Sequence, residues 1–250
     1  MKLFKSFLVL IFLFGGIAFP QHDDWFYSDD FYADEGEPPM LEYDKYNPFA
    51  GGDSTRLCDG RYCNGNIIDQ HPNGKIKHKG FYTRGKLRNG YENYFDTEQL
   101  ERKFRILSGN SGVLDVYYSD GTLRSEVEFF KNQPLKWKDY YPNGNIEFWE
   151  EYDRKLEYYV RFNFYYINGT PQSILELKDL KKLTYDTKEH YLNGNIKEEG
   201  EMQYLPFSGG HVKVGEWKVY DIQGKLIRTE KYREGMIDTG KDDYDDLDDK

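Results

Sequence analysis

Turn signals recur along this chain at a near-constant interval, and few folds tolerate that. Asn-Gly or Asp-Gly pairs stand at Asn73-Gly74, Asp120-Gly121, Asn143-Gly144, Asn168-Gly169 and Asn193-Gly194, with a weaker Gln223-Gly224 and a degenerate Asp96-Thr97. The anchor positions lie 23, 24, 23, 25, 25 and 30 residues apart, the last gap holding a small insertion near residues 205–211. Such a period marks one supersecondary unit copied and stacked. Asn-Gly allows positive φ at both central residues, as a type I′ hairpin turn requires. The flanking runs alternate apolar and polar, as in Leu114, Val116, Tyr118 and then Leu123, Val127, Phe129. Period two predicts strands. A two-residue hairpin at Asp120-Gly121 pairs Tyr118 with Leu123 and Val116 with Ser125. Each unit is then one antiparallel hairpin, which is marginal alone and must extend its sheet with its neighbours.

Alignment on the anchor glycines (Gly74, Gly121, Gly144, Gly169, Gly194, Gly224) exposes aromatic columns. Three residues before the anchor stand His71, Tyr94, Tyr118, Tyr141, Tyr166, Tyr191 and Asp221. Seven before it stand Trp137, Phe162 and Trp217, and eight after it Tyr82, Phe129, Tyr152 and Tyr232. The second unit is the most eroded, with Gly90, Gln99 and Arg105 in these apolar columns. Composition agrees. The 250 residues include 23 Tyr, 17 Phe and 4 Trp, yet only 38% are hydrophobic. Aliphatic residues are too few for a two-sided α/β core, and aromatics too many for wholesale disorder. One stretch, residues 173–183, has helix-like apolar spacing; the competing reading is a strand with a charged face.

The pattern Trp137-x-x-Tyr140-Tyr141-x-Asn143-Gly144-x-Ile146, closed by Tyr152, resembles the MORN-variant repeat of bacterial YwqK-family antitoxin-component proteins. The run from Gly215 through Trp217, Tyr220, Gly224, Leu226 and Glu230 to Tyr232 is similar to the same motif. The resemblance covers roughly residues 65–238, about seven copies. It implies an all-β, elongated array of about seven antiparallel β-hairpin repeats, protein interaction rather than a defined reaction, and a bacterial origin.

The ends read differently. Lys2 and Lys5 precede an apolar run from Phe7 to Phe14, and Gly16 and Ala18 then precede a cut before Phe19, the layout of a secretory signal. The run is short for a membrane span, and no other stretch could form one. The expected division is a signal peptide at 1–18, a mostly disordered acidic arm at 19–56, the repeat domain at 57–238 and an acidic tail at 239–250. The expected location is secreted, periplasmic or at the cell envelope. Residues 21–53 hold ten acids against Lys45 alone, and carry Trp25, Phe26, Tyr27, Phe31 and Tyr32. The arm either folds back along a basic stripe (Lys136, Lys138, Lys197, Lys218) or sheet edge, or is plain spacer. Cys58 and Cys63, the two cysteines, either close a small disulfide loop in an oxidising compartment or stay free.

Net charge is −10 with a near-neutral body, so no basic footprint for nucleic acid exists. His71, His78, His190 and His211 are scattered, no nucleophile elbow or phosphate loop occurs, and no EF-hand spacing appears. Neither a metal, a cofactor nor catalytic residues are expected. Carboxylates such as Glu147, Glu150, Glu151, Glu198 and Glu199 sit on strands, where many face solvent. The expected function is a non-enzymatic exported interaction module with a protein partner. The alternatives are a glycan- or choline-binding envelope protein that uses Trp and Tyr faces, and an antitoxin component. The repeat aromatics Tyr118, Trp137, Tyr141, Tyr152, Tyr166, Tyr191, Trp217 and Tyr232 are either packing surface or that ligand face.

Overall fold

The computed structural model describes residues 41–108, 110–206 and 210–239. The signal peptide, the arm's five aromatics at 25–32 and the tail beyond 239 lie outside the described residues.

The described residues are almost entirely β. A short hairpin, β1 (Leu57–Cys58) with β2 (Arg61–Tyr62), precedes the strands of one antiparallel sheet. These are β3 (Gly65–Gln70), β4 (Ile76–Thr83), β5 (Lys86–Tyr94), β6 (Leu100–Ser108), β7 (Ser111–Tyr117), β8 (Leu123–Phe130), β9 (Gln133–Tyr140), β10 (Ile146–Tyr152), β11 (Tyr159–Tyr165) and β12 (Pro171–Asp179). They continue as β13 (Thr184–His190), β14 (Ile196–Leu205), β15 (Gly210–Tyr220), β16 (Leu226–Arg233) and β17 (Met236–Ile237). Sheet order equals chain order over all 15 strands. The stretch at 173–183 is strand β12 and its turn, not helix. Two compact units share these strands, one of described residues within 34–176 and 189–195, the other within 177–188 and 196–239.

The anchor turns differ from the expected type. In each, the residue three before the anchor accepts from the anchor N–H, as in Gly121 to Tyr118 at 2.9 Å, and donates to the residue after the anchor, as in Tyr118 to Thr122 at 2.8 Å. The glycines have positive φ (Gly121 88°, Gly144 84°), but the Asn or Asp before them do not. This is a type I turn followed by a left-handed residue in a bulge. The bulge shifts the register by one: Val116 pairs with Ser125 as expected, but Leu123 pairs with Tyr117, not Tyr118. The Asn or Asp side chain accepts the N–H two residues on, as Asn143 does from Asn145 at 3.0 Å, which favours this turn over type I′. True type I′ turns lie at the other strand ends. Arg84-Gly85, Lys131-Asn132 and Glu234-Gly235 have positive φ at both positions.

The same geometry moves the second anchor. Phe95 donates to Gln99 and accepts from Glu98, whose φ is 78°. The left-handed position is therefore Glu98, not Thr97. Moving the anchor by one puts Tyr91, Phe95, Leu100 and Ile106 in the apolar columns. Tyr91 is 3% exposed, so the erosion of this unit was a misregister.

Candidate binding face

Alternation gives the sheet in the 34–176 unit two unlike faces. Register places Val127, Trp137, Glu150 and Phe162 on one face, with Asp139, Phe148 and Phe164 beside them. Towards the chain start that face continues through Leu114, Phe104 and Tyr91 to His78 and Asp69. The opposite face is charged and internally paired. Lys103 meets Glu92 at 2.9 Å, Lys136 lies 3.8 Å from Glu128 and from Glu151, and Arg161 meets Glu176 at 2.9 Å. Lys138 and Arg161 lie over the Trp149 ring at 4.5 and 3.9 Å. Lys136 and Lys138, offered as part of a basic stripe, are thus engaged on that face.

The first part of the aromatic face is covered by residues expected to belong to the disordered arm. Residues 41–53 pack on it through a one-turn helix, Leu41–Asp44, and a 3-10 turn, Pro48–Ala50. Apolar and ring contacts hold them there. Tyr43 stacks on His78 with centroids 3.8 Å apart, and Phe49 lies 5.9 Å from Phe104. Asp44 accepts from both Arg102 and Tyr91, all three buried. Burial pushes the Asp44 carboxyl up, and the facing Arg102 guanidinium and Tyr91 hydroxyl offset part of that cost.

Beside this pair runs a directional hydrogen-bond chain. Arg56 donates to Tyr82 Oη at 3.1 Å, and Tyr82 Oη donates to His78 Nε2 at 3.0 Å. His78 Nδ1 donates to Asn93 Oδ1 at 2.7 Å. The Asn oxygen only accepts, which fixes His78 as the neutral Nδ1-H tautomer. Burial holds its pKa down at about 4. Asp69 accepts two bonds from Arg56 at 2.7 and 2.8 Å and one from Tyr43 at 2.8 Å. Through the Tyr43–Asp69 bond this network ties the 41–53 segment to the sheet.

The disulfide sits next to it. Cys58 and Cys63 are bonded across the β1–β2 hairpin, and Cys63 is 1% exposed.

Beyond Trp137 the aromatic face is only half-buried. Phe148 lies 5.3 Å from Phe162 and 4.9 Å from Phe164, Phe162 lies 5.0 Å from Tyr159, and Tyr159 lies 4.5 Å from Tyr152. Two carboxylates interrupt these rings. Asp139 accepts from Trp137 Nε1 at 2.7 Å and from Ser125. Glu150, by contrast, is bonded by the Tyr152 and Tyr159 hydroxyls. Burial pushes both carboxyl groups up, and Glu147 with them. Among the described residues no cation lies within ion-pair distance of Asp139, Glu147 or Glu150. Glu147 and Glu150 belong to the strand carboxylates of which alternation was expected to send many to solvent, and both are half-buried. Their placement at odd or even steps from Trp137 was the available signal, obscured by the bulge at Ile146–Phe148.

The repeat aromatics separate into two groups. Tyr118, Tyr141 and Tyr166 link successive turns. Their hydroxyls donate to the Tyr140, Tyr165 and His190 carbonyls at 2.7, 2.9 and 2.9 Å, each just before the next turn's tyrosine. His71 makes the same bond to Tyr94 at 2.8 Å, which explains a histidine in the tyrosine column. Asn143 adds a bond to Ile167 at 2.8 Å. Tyr191 stands at the equivalent turn position. Trp137 and Tyr152 belong to the half-buried face. In the 177–239 unit, Trp217 is buried against Gly200, with Lys213 over its ring at 3.9 Å, and Tyr232 lies 6.1 Å away. Among the described residues no cluster of three or more His, Cys, Asp or Glu could hold a metal ion, and no helix is long and apolar enough to cross a membrane.

No protein-family model matches the chain, and no curated protein does. Among solved structures, a chain from the crystal structure of an S. aureus TarM mutant in complex with Fondaparinux, alpha-GlcNAc-glycerol and UDP aligns over 60% of this chain. The alignment covers 21% of that protein, at 13% identity and a TM-score of 0.26. A likeness so distant carries no argument.

Proposed function

We propose that this chain is a non-enzymatic, exported interaction module of MORN-like repeats that binds a protein partner on its aromatic face. The observation that carries this reading is the half-buried stretch over β8–β11, where Trp137, Phe148, Phe162 and Phe164 lie in one plane of side chains next to a part already covered by residues 41–53. Clustered aromatic surface that the fold leaves half-open supports an interaction site. Export rests on the charged, apolar and small-residue order of residues 1–18. A glycan or choline ligand would draw on the same rings, but the Tyr118, Tyr141 and Tyr166 hydroxyls are already bonded within the repeat.

Two measurements test the reading. Fractionation with N-terminal sequencing should find the chain outside the cytoplasm and starting at Phe19; a cytoplasmic pool that keeps Met1 overturns export and favours the antitoxin role. A photo-crosslinking residue at Phe162 should capture one reproducible protein that the same residue at Glu128, on the charged face, does not. Equal capture from both faces removes the proposed site.

A further inference from the structure

We propose that the stretch over β8–β11, which the other described residues leave half-buried, receives an arginine side chain from an extended segment of the partner protein, held between Asp139 and Glu150 and stacked on the surrounding rings. This rests on the interaction-module reading and specifies its chemistry.

The fold itself shows how this face accepts a chain segment. Residues 41–53 bind the neighbouring stretch by two devices: an aromatic stack, Tyr43 on His78, and a charge buried against its opposite, Asp44 against Arg102. Over β8–β11 the same face offers the same devices with the sign reversed. The sheet supplies the carboxylates, and the rings of Phe148, Phe162, Tyr152 and Tyr159 lie close enough together to form one platform. Three of the sheet's cations in this stretch are turned away. Lys136, Lys138 and Arg161 occupy the opposite face with partners of their own. Arg124 is the cation that acts on Asp139 and Glu147, and none acts on Glu150. Glu150 is bonded by the Tyr152 and Tyr159 hydroxyls and stands in register between Trp137 and Phe162.

A guanidinium suits this setting better than water does. It is planar, weakly hydrated, stacks on aromatic faces and spans two acceptors. The acidic composition of residues 21–40 argues against that segment as the occupant, because it would place carboxylate on carboxylate. The same desolvation that keeps Asp139 and Glu150 reluctant to ionise makes an arriving cation favourable. A carboxylate that burdens the free fold is relieved by its ligand.

The test uses the full chain and a five-residue Thr/Val peptide with one central arginine, read by Trp137 fluorescence in a variant lacking the other tryptophans. The arginine peptide should bind saturably, and its citrulline analogue, equal in shape but uncharged, about tenfold more weakly, the scale of one charge-assisted contact. Asp139→Asn and Glu150→Gln should each weaken binding by a similar factor, and Glu128→Gln on the opposite face should not. Glu150→Gln keeps an acceptor for both tyrosines and removes a disfavoured charge, so its thermal midpoint should equal or exceed the parent's; a lower one would assign any binding loss to misfolding, and Asp139→Asn then decides alone. Equal binding of both peptides, or none at millimolar concentration, overturns the proposal. Tetramethylammonium binding more tightly than the arginine peptide would make the occupant a small ammonium compound and also overturn it. Capture from Phe162 that persists in Glu150→Gln would leave the interaction module standing and remove only the cation.

Discussion

Glu98 holds a backbone conformation that suits glycine. Its φ of 78° occupies the position that Gly121 and Gly144 fill in other turns, and L-residues there cost roughly 1–2 kcal/mol. Its ion pair with Lys75, 3.6 Å long and exposed, offsets little of that. Glu98→Gly should therefore raise stability by about 1 kcal/mol in urea unfolding; no gain would mean the turn relaxes by other means. The missing glycine also explains a failure of sequence reading. With no Gly to mark it, the anchor fell on Thr97, one residue early, and a core tyrosine at 91 was passed over for Gly90. His78 gives a second residue-scale expectation. Its folded pKa, about 4, lies below the ordinary 6.5, so the unfolded chain takes up the proton first. Stability is thus full above pH 6.5 and falls as pH drops from about 6.5 to about 4, with no further loss from this group below that. The loss approaches about 3 kcal/mol for a shift of this size. In His78→Gln this window should flatten relative to the parent; equal acid sensitivity would show that another group controls it.

Residues 41–53 show how an element escapes composition. Ten acids in residues 21–53 read as a solvated arm, yet Tyr43, Asp44 and Asn47 are buried on the sheet. A charge average hides four or five residues whose contacts are specific, and nothing in the segment's own sequence names Arg102 as a partner 58 positions away. Alternation made the strands legible because it is a local property; the cap over β3–β6 depends on distant pairing and was not. Asp44 is the residue that fixes it. Asp44→Ala leaves the Arg102 guanidinium buried without its counter-charge, a change of about 3–5 kcal/mol, enough to detach a segment of this size. Cleavage after the exposed Lys45 by a lysine-specific protease should then accelerate many-fold while the sheet stays folded. Glu42→Ala, which loses only a surface pair with Lys77, should cleave at the parental rate. An unchanged rate in Asp44→Ala would mean that the ring contacts suffice.

Across the whole molecule, each strand of the sheet pairs only with its neighbours in sequence. Contacts of that kind let parts open without the rest. The two compact units have separate reporters, Trp137 and Trp149 in one and Trp217 in the other. Single-tryptophan variants should give different urea midpoints for the two units; coincident midpoints and slopes would establish one cooperative transition. The ladder of turn bonds carries a further consequence. Tyr118, Tyr141, Tyr166 and His71 each grip a main-chain carbonyl of the next turn. What this ladder asks of the next copy is therefore a backbone shape, which any sequence able to make the turn supplies. At the turns, copies could be duplicated, lost or exchanged without refitting, while the cross-strand side-chain pairs still have to match. The face residues, free of that duty, could diverge until one stretch kept its own chain and another was left open to a stranger's.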